Sequence, residues 1–190
     1  SDAAEQFALL LSEEKQDHYL AVAARYALAE SLRDARDRDG SVREFLEVAQ
    51  RDASDEGVHA APALYHAGYL LLDLEKPEAA AGAFTALVKR FGRHEAAAES
   101  RLLIGESWFQ AGKYQAAEQA FEAAAKAGGE YADDGRIGVA WSRVERDDVD
   151  GAIEQFRRVV REHARSELVP TARIEIGRLQ LSKGNAKAAS

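Results

Sequence analysis

The stretch that decides the fold is Ile104–Ala124, which reads IGESWFQAGKYQAAEQAFEAA. On both sides of residues 111–113, small and apolar side chains recur at spacings of three and four, which predicts two amphipathic helices joined by a tight turn. Gly112 lies in this turn and can take the left-handed conformation that ends many helices. Gly105 lies within the first helix, where glycine costs about 1 kcal/mol relative to alanine. We therefore expect a bulky ring, that of Phe121, to pack against Gly105.

Copies of this pattern occur along the chain. A small residue lies 16 positions before a phenylalanine in four places, namely Ala29 and Phe45, Gly68 and Phe84, Gly105 and Phe121, and Ala140 and Phe156. Consecutive phenylalanines of the set are 39, 37 and 35 residues apart. A sustained period in this range is typical of a solenoid, in which each hairpin buries its apolar face against its neighbours.

This spacing of small and aromatic residues resembles the tetratricopeptide repeat, a helical hairpin that recurs about every 34 residues. The copy that matches the family pattern best has Ile104, Gly105, Trp108, Ala117, Phe121 and Ala124. The next copy has Ala67, Gly68, Leu71, Ala80, Phe84 and Leu87. Two copies depart at the position where the family has tyrosine, because Leu32 and Arg143 stand there. The resemblance implies an all-α fold, a right-handed α-α superhelix of helical hairpins.

The repeats cover nearly the whole chain, so we expect residues 1–190 to form a single solenoid. The pattern predicts the second helix of a preceding repeat at 2–18, repeats at about 19–57, 58–94, 95–129 and 130–166, and a partial repeat at 167–190 with a turn at 183–185. Because the chain starts and stops within repeat units, we expect it to be a piece of a longer protein.

The junctions between repeats are longer than is usual for the family. The junction at 159–170, VVREHARSELVP, is similar to those of bacterial envelope proteins of this class, such as the Tol–Pal coordinator and the outer-membrane assembly lipoproteins. This similarity favours the periplasm or cell envelope over the cytoplasm.

Composition limits the classes of partner. The net charge of −8 argues against nucleic acid, which favours a basic surface. No apolar run approaches the roughly 18 residues of a membrane-spanning helix. Cysteine is absent, which excludes disulfides and thiolate chemistry. Runs rich in valine, isoleucine and threonine are also absent, in agreement with an all-α class.

No catalytic or metal-binding constellation stands out. The five histidines form no zinc motif, although His59 and His66 lie seven residues apart on one helix face. The paired aspartates at 133–134 and 147–148 lie at predicted helix starts, where capping explains them better than acid–base catalysis. We therefore predict no enzyme activity and no cofactor.

The first helix of each hairpin lines the concave side of such an array. If the resemblance holds, the family's groove positions predict ten partner-binding residues, namely Tyr65, Tyr69, Leu72, Leu102, Glu106, Phe109, Ile137, Trp141, Ile174 and Arg178. Four of them, Tyr65, Tyr69, Phe109 and Trp141, form a predicted aromatic strip for an extended or helical peptide with basic flanks. Tyrosine and tryptophan are frequent interface anchors. The alternative is that some of these side chains are ordinary core.

Three functions remain open. The leading hypothesis is a non-catalytic scaffold that binds a peptide or protein partner in its groove. The second is self-assembly through end-to-end stacking of repeats, which would make the chain a homo-oligomer. The third is a recognition segment of a larger enzyme whose catalytic part lies outside these residues.

Overall fold

A computed structural model of the chain describes residues 2–12, 18–52, 58–162, 164 and 166–189. Within these residues the regular secondary structure is entirely α-helical. The helices are α1 (Asp2–Ser12), α2 (His18–Asp34), α3 (Arg38–Arg51), α4 (Ala60–Asp73), α5 (Pro77–Arg90), α6 (Ala96–Gln110), α7 (Tyr114–Ala127), α8 (Ala132–Val144), α9 (Val149–Glu162) and α10 (Val169–Ala189). None of these described helices is both long and apolar enough to cross a membrane.

The chain divides into two compact units, residues 1–100 and 101–190, and the boundary falls within α6. We call them unit 1 and unit 2. In unit 1, α1 packs on α2, α2 on α3, α3 on α4, and α4 on α5. In unit 2, α7 packs on α8, α8 on α9, and α9 on α10. Each unit is therefore a series of antiparallel helical neighbours of the predicted kind.

The turns inside the hairpins share one geometry. In four turns a residue two or three positions after the end of the first helix has a left-handed backbone, with φ of 64° at Arg36, 56° at Glu75, 71° at Gly112 and 59° at Asp147. Around Gly112, the Gly112 N–H donates to the carbonyl of Phe109 and the next N–H, that of Lys113, donates to the carbonyl of Trp108. This pair of bonds is a Schellman motif, and it recurs at the other three turns. The predicted left-handed glycine at 112 is confirmed.

The predicted contacts between phenylalanine rings and glycines are confirmed in both units. A Cβ atom built on Gly68 would lie 2.5 Å from the ring of Phe84, and one on Gly105 would lie 2.4 Å from the ring of Phe121. Both rings are buried, with exposed fractions of 0% and 4%. Glycine is required at these two positions because any side chain would overlap the ring.

Unit 2 contains a second close approach that the sequence pattern did not reveal. A Cβ atom on Gly138 would lie 2.5 Å from the ring of Phe121, on the α8 side. Gly135, one turn earlier, lies against the backbone of α7, since its Cβ would be 2.8 Å from the amide nitrogen of Ala125. These two glycines let α8 approach α7 closely and enclose the ring of Phe121.

Two helix boundaries differ from the prediction. The sequence pattern predicts that the second helix of repeat one begins at Ser41, but α3 begins at Arg38, because the Asp37 carboxylate accepts a hydrogen bond from the Gly40 N–H (2.9 Å) and caps the helix earlier. Helix α10 continues through the turn predicted at 183–185. The cost of Gly184 in the helix is about 1 kcal/mol, and the alanine-rich residues after it favour helix. The polar connector that the sequence predicts at 52–57 lies outside the described residues apart from Asp52, which is the C-cap residue of α3.

Candidate functional site

A groove of about 800 Å³ lies in unit 2. We call it the unit 2 groove. Its walls come from α6 and α8, and the ring of Phe121 from α7 forms part of its floor. The lining residues are Leu102, Glu106, Phe109, Gln110, Phe121, Asp134, Ile137, Gly138, Trp141 and Glu145. Its volume lies within the range of about 300–1,000 Å³ that is typical of ligand-binding clefts.

Five of the ten predicted partner-binding residues line this groove, namely Leu102, Glu106, Phe109, Ile137 and Trp141. Leu102 is buried, with an exposed fraction of 8%, and it belongs with Phe121 to the core under the groove. Phe109, Ile137 and Trp141 are half-buried, so each presents part of its apolar surface to the opening. Leu102 is therefore one of the predicted site residues that is mainly a core residue.

The aromatic rings in the groove are held by packing on their inner sides. Trp141 meets Phe156 edge to face, with ring centroids 5.6 Å apart and an interplanar angle of 83°. Phe109 meets Tyr114 in the same manner at 5.2 Å. Such contacts restrict the ring rotamers, so the apolar surface is formed before any partner arrives.

The charged residues that line the groove all carry carboxylates, namely Glu106, Asp134 and Glu145. Asp134 is half-buried at the first turn of α8, whereas Glu106 and Glu145 are exposed. Among the described residues that line the groove, none is a lysine or an arginine. The groove therefore combines an apolar floor with an acidic edge.

Three predicted site residues, Tyr65, Tyr69 and Leu72, lie on α4 in unit 1. The hydroxyls of Tyr65 and Tyr69 donate to the two oxygens of the Glu99 carboxylate, at 2.6 Å and 2.7 Å. Their rings pack edge to face, 4.9 Å apart, and Tyr69 also packs on the buried Phe84. Burial, with hydrogen bonds to Tyr65 and Glu99, raises the pKa of the Tyr69 phenol, so it remains a hydrogen-bond donor at neutral pH. Leu72 is half-buried.

Tyr65 and Glu99 also border a smaller pocket of about 370 Å³ in unit 1, whose other lining residues are Pro62, His66, His94, Glu95 and Ala96. His66 contacts the ring of Phe45, with centroids 5.3 Å apart. Burial, followed by the charge of Arg33, lowers the pKa of His66. Among the described residues, no group of three or more histidine or carboxylate side chains could hold a metal ion.

The last two predicted site residues, Ile174 and Arg178, lie on α10 and do not line the unit 2 groove. Ile174 has an exposed fraction of 62%. The Arg178 guanidinium donates to both oxygens of Glu175, at 3.0 Å and 3.1 Å. The predicted site is thus distributed over three places, and the members that converge on a cavity are those of α6 and α8.

Comparison with known proteins decides the family. A family model described as tetratricopeptide repeat matches residues 65–132 and 140–189. The chain belongs to the tetratricopeptide repeat family. The two matched segments together cover more than half of the chain, and they include the whole of α6 and α7 and parts of α4 and α8.

Solved structures of other tetratricopeptide repeat proteins share the fold. A crystal structure of MamA matches with 20% identity and a TM-score of 0.65, covering 86% of this chain and 82% of that one. A tetratricopeptide repeat protein from Parabacteroides merdae matches with 17% identity and a TM-score of 0.63, covering 97% and 68%. BtubC from P. vanneervenii matches with 17% identity and a TM-score of 0.60, covering 85% and 70%. None of the curated proteins matches the chain. At these identities the likeness confirms the all-α, solenoid class and no more.

Unit 2 contains a cluster of charged side chains that the sequence pattern did not reveal. Glu118 is buried on α7, and its carboxylate accepts from Arg143 Nε (2.8 Å) and from Arg146 Nη1. Arg143 stands where the tetratricopeptide pattern has tyrosine, and this departure was the available signal. The ion pairs explain the substitution, because a buried carboxylate needs a charged partner.

The paired aspartates have separate roles. The Asp148 carboxylate accepts from the Gly151 N–H at 2.9 Å and caps α9, as predicted. Asp133 forms an ion pair with Arg136 at 3.5 Å, and Asp134 lines the groove. Capping therefore does not account for the aspartates at 133 and 134. At the start of α8 the N-cap residue is Tyr131, whose side chain makes no capping hydrogen bond.

Proposed function

We propose that this chain is a non-catalytic interaction scaffold that binds a peptide segment of a partner protein in the unit 2 groove. The tetratricopeptide repeat fold is typical of protein–protein interaction scaffolds. The observation that carries the proposal is the preformed groove of about 800 Å³, with half-buried Phe109, Ile137 and Trp141 along its surface.

Burial of apolar surface would supply most of the binding free energy in the groove. Each square ångström of apolar surface that a partner covers contributes roughly 25 cal/mol. Because the rings of Phe109 and Trp141 are already held by Tyr114 and Phe156, binding requires little ordering of these side chains. Aromatic anchors in a concave site are the residues on which binding energy usually concentrates.

The test begins with selection of a random peptide library displayed on phage against the whole chain, followed by fluorescence anisotropy with the selected peptides. We expect Trp141→Ala to weaken their binding about 30-fold or more, which corresponds to the roughly 2 kcal/mol of an interface hot spot. The matched control is Leu181→Ala, which truncates an exposed apolar side chain on α10 outside the groove. Circular dichroism verifies that both variants retain their helices. Peptides that bind both variants as tightly as the original chain would contradict the proposal.

The five remaining predicted site residues do not line the unit 2 groove, and we propose them as secondary contacts of the partner. Tyr65, Tyr69 and Leu72 of unit 1 and Ile174 and Arg178 of α10 would extend the contact beyond the unit 2 groove if the partner is long. Tyr69→Ala and Ile174→Ala test this extension on the selected peptides and on any natural partner. Unchanged affinity in both variants would restrict the binding site to the unit 2 groove.

We further propose that the partner is a protein of the bacterial cell envelope, as the junction at 159–170 favours. The experiment is a pull-down from native cells with the parent protein as bait, followed by mass spectrometry and by competition with the selected peptides. Envelope proteins that the peptides displace are the expected result. Displacement of cytoplasmic proteins alone would contradict the envelope location and leave the groove proposal intact.

A further inference from the structure

We propose that the segment bound in the unit 2 groove is cationic, with lysine or arginine residues on both sides of an apolar core. This inference rests on the proposed function and specifies the chemistry of the partner. It follows from the order of side chains along α8 and from the pairing of the arginines around the groove.

The groove-lining side chains of α8 follow a symmetric order along the helix, with an acidic residue at each end and apolar residues between them. Asp134 lies at one end, Ile137 and Trp141 in the middle, and Glu145 at the other end. The eleven positions from Asp134 to Glu145 correspond to about three helical turns, so these side chains share one face. Glu145 is the C-cap residue of α8 and retains helical backbone angles, so the helical rise applies along the whole distance. The two carboxylates therefore flank the apolar centre at a separation of about 16 Å along the helix axis.

The basic residues of the same helix are engaged elsewhere. Arg136 pairs with Asp133 at 3.5 Å, and Arg143 pairs with the buried Glu118 at 2.8 Å. Arg146, just beyond α8, also pairs with Glu118. Within the described part of the chain, no ion pair joins Asp134 or Glu145 to a basic side chain. Asp134 and Glu145 thus have no cationic partner among the described residues, and the carboxylate of Glu106, on α6, lines the same groove.

A partner with complementary charges gains from this arrangement in two ways. Its apolar side chains cover Ile137 and Trp141, and its basic side chains reach the flanking carboxylates. Because Asp134 is half-buried, a cation paired with it is screened less by water than a cation paired with the exposed Glu145. Asp134 is therefore expected to contribute most to affinity, and the exposed carboxylates are expected to act mainly on the association rate.

The separation of the carboxylates sets the spacing of the basic residues. An extended peptide rises about 3.3 Å per residue, so its two cations would be about five positions apart. A helical peptide rises about 1.5 Å per residue, so they would be about eleven positions apart. An acidic segment is disfavoured in either conformation, because its charges would face Asp134, Glu106 and Glu145.

The experiment uses the peptides selected from the random library on the whole chain. We expect the peptides that depend on Trp141 to have an apolar core with lysine or arginine on both sides, at one of the two spacings. Peptides that depend on Trp141 but are neutral or acidic would overturn this inference while supporting the proposed function. A selection that yields no peptide dependent on Trp141 would overturn the proposed function itself.

A pair of variants tests the role of charge at the site. Asp134→Asn removes the groove carboxylate, and Asp133→Asn removes its neighbour on α8, with the same change in net charge. We expect Asp134→Asn to weaken binding of a selected basic peptide about tenfold, and its affinity to depend less on salt concentration than that of the original chain. Asp133→Asn is expected to bind within about twofold of the original chain, since Asp133 does not line the groove. Equal effects of the two substitutions would show that only the overall negative charge matters and would contradict a cation site in the groove.

Discussion

At the scale of single residues, the repeats depend on contacts between phenylalanine rings and glycines. The ring of Phe84 occupies the space where a Cβ atom on Gly68 would lie, and the ring is itself fully buried. A ring in that position cannot move away without opening a cavity or displacing its neighbours. Gly82, in α5 of the same unit, has open space around its Cβ position. The two glycines therefore make a matched pair.

We predict opposite effects of alanine at these two glycines. Gly68→Ala should destabilise unit 1 by about 1–3 kcal/mol, the usual cost of overpacking a core. Gly82→Ala should stabilise it by about 0.5–1 kcal/mol, since alanine is the better helix former and meets no clash. Urea unfolding followed by circular dichroism measures both. A stabilising Gly68→Ala would mean that Phe84 does not pack against Gly68.

His66 makes the stability of unit 1 sensitive to pH. It lies among the rings of Tyr26, Phe45 and Tyr65, and burial lowers its pKa, with a smaller contribution from Arg33 that Glu30 partly opposes. The unfolded chain binds a proton near the ordinary pKa of 6.5, whereas the folded chain binds it only at lower pH. The stabilising effect is therefore fully present above pH 6.5 and is lost as the pH falls below that value.

We predict that the free energy of unfolding decreases from pH 7.5 to pH 5 more steeply in the original chain than in His66→Gln. The substitution itself will lower stability at every pH, so the slope is the quantity to compare. Denaturant titrations at several pH values give it. Equal slopes would indicate that His66 titrates in the same way in the folded and unfolded states.

At the scale of elements, each hairpin uses the same left-handed turn but different residues in it. Only the turn at 112 has glycine, while Arg36, Glu75 and Asp147 take the conformation at a steric cost of about 1–2 kcal/mol. The Schellman hydrogen bonds are present at all four turns, and they offset part of this cost at the three turns without glycine. The sequence pattern predicted the turn where glycine marks it, and the other three turns carry no such local signal.

We predict that Glu75→Gly stabilises unit 1 by about 0.5–1 kcal/mol, because the gain from removing the Cβ atom is partly offset by the greater freedom of glycine in the unfolded chain. Gly112→Ala should destabilise unit 2 by about 1 kcal/mol, although the space around Gly112 is open, because the cost comes from the backbone angle. Thermal unfolding of the two variants provides the measurement. A neutral Gly112→Ala would show that this turn relaxes out of the left-handed region.

At the scale of the whole molecule, the scaffold and self-assembly hypotheses differ in the mass they predict. We predict that the chain remains a monomer of about 20.7 kDa, because its net charge of −8 opposes association of identical copies. Light scattering across a concentration series at low and physiological salt provides the check. A mass that rises with concentration would favour end-to-end stacking of repeats as the function.

The predicted site residues are distributed unevenly over the structure, for a physical reason. The family's groove positions on α6 and α8 converge on one cavity, because these helices meet through the close contacts of Gly105 and Gly138 with Phe121. The predicted aromatic strip, by contrast, is divided between unit 1, which holds Tyr65 and Tyr69, and unit 2, which holds Phe109 and Trp141. Repeat phase assigns side chains to a helix face, but it does not determine how far one concave surface extends.

The sequence alone determined the helical class, the repeat family, the phase of the phenylalanines and the glycine turn at 112. These follow from short-range rules, since residues three, four or sixteen positions apart meet through the geometry of a single helix or hairpin. Only the tertiary structure decided that Gly138 encloses Phe121, that Arg143 and Arg146 neutralise Glu118, and that Asp134 faces a groove while Asp133 does not. Those relations depend on which side chains of different helices converge, and spacing along one chain leaves that choice open.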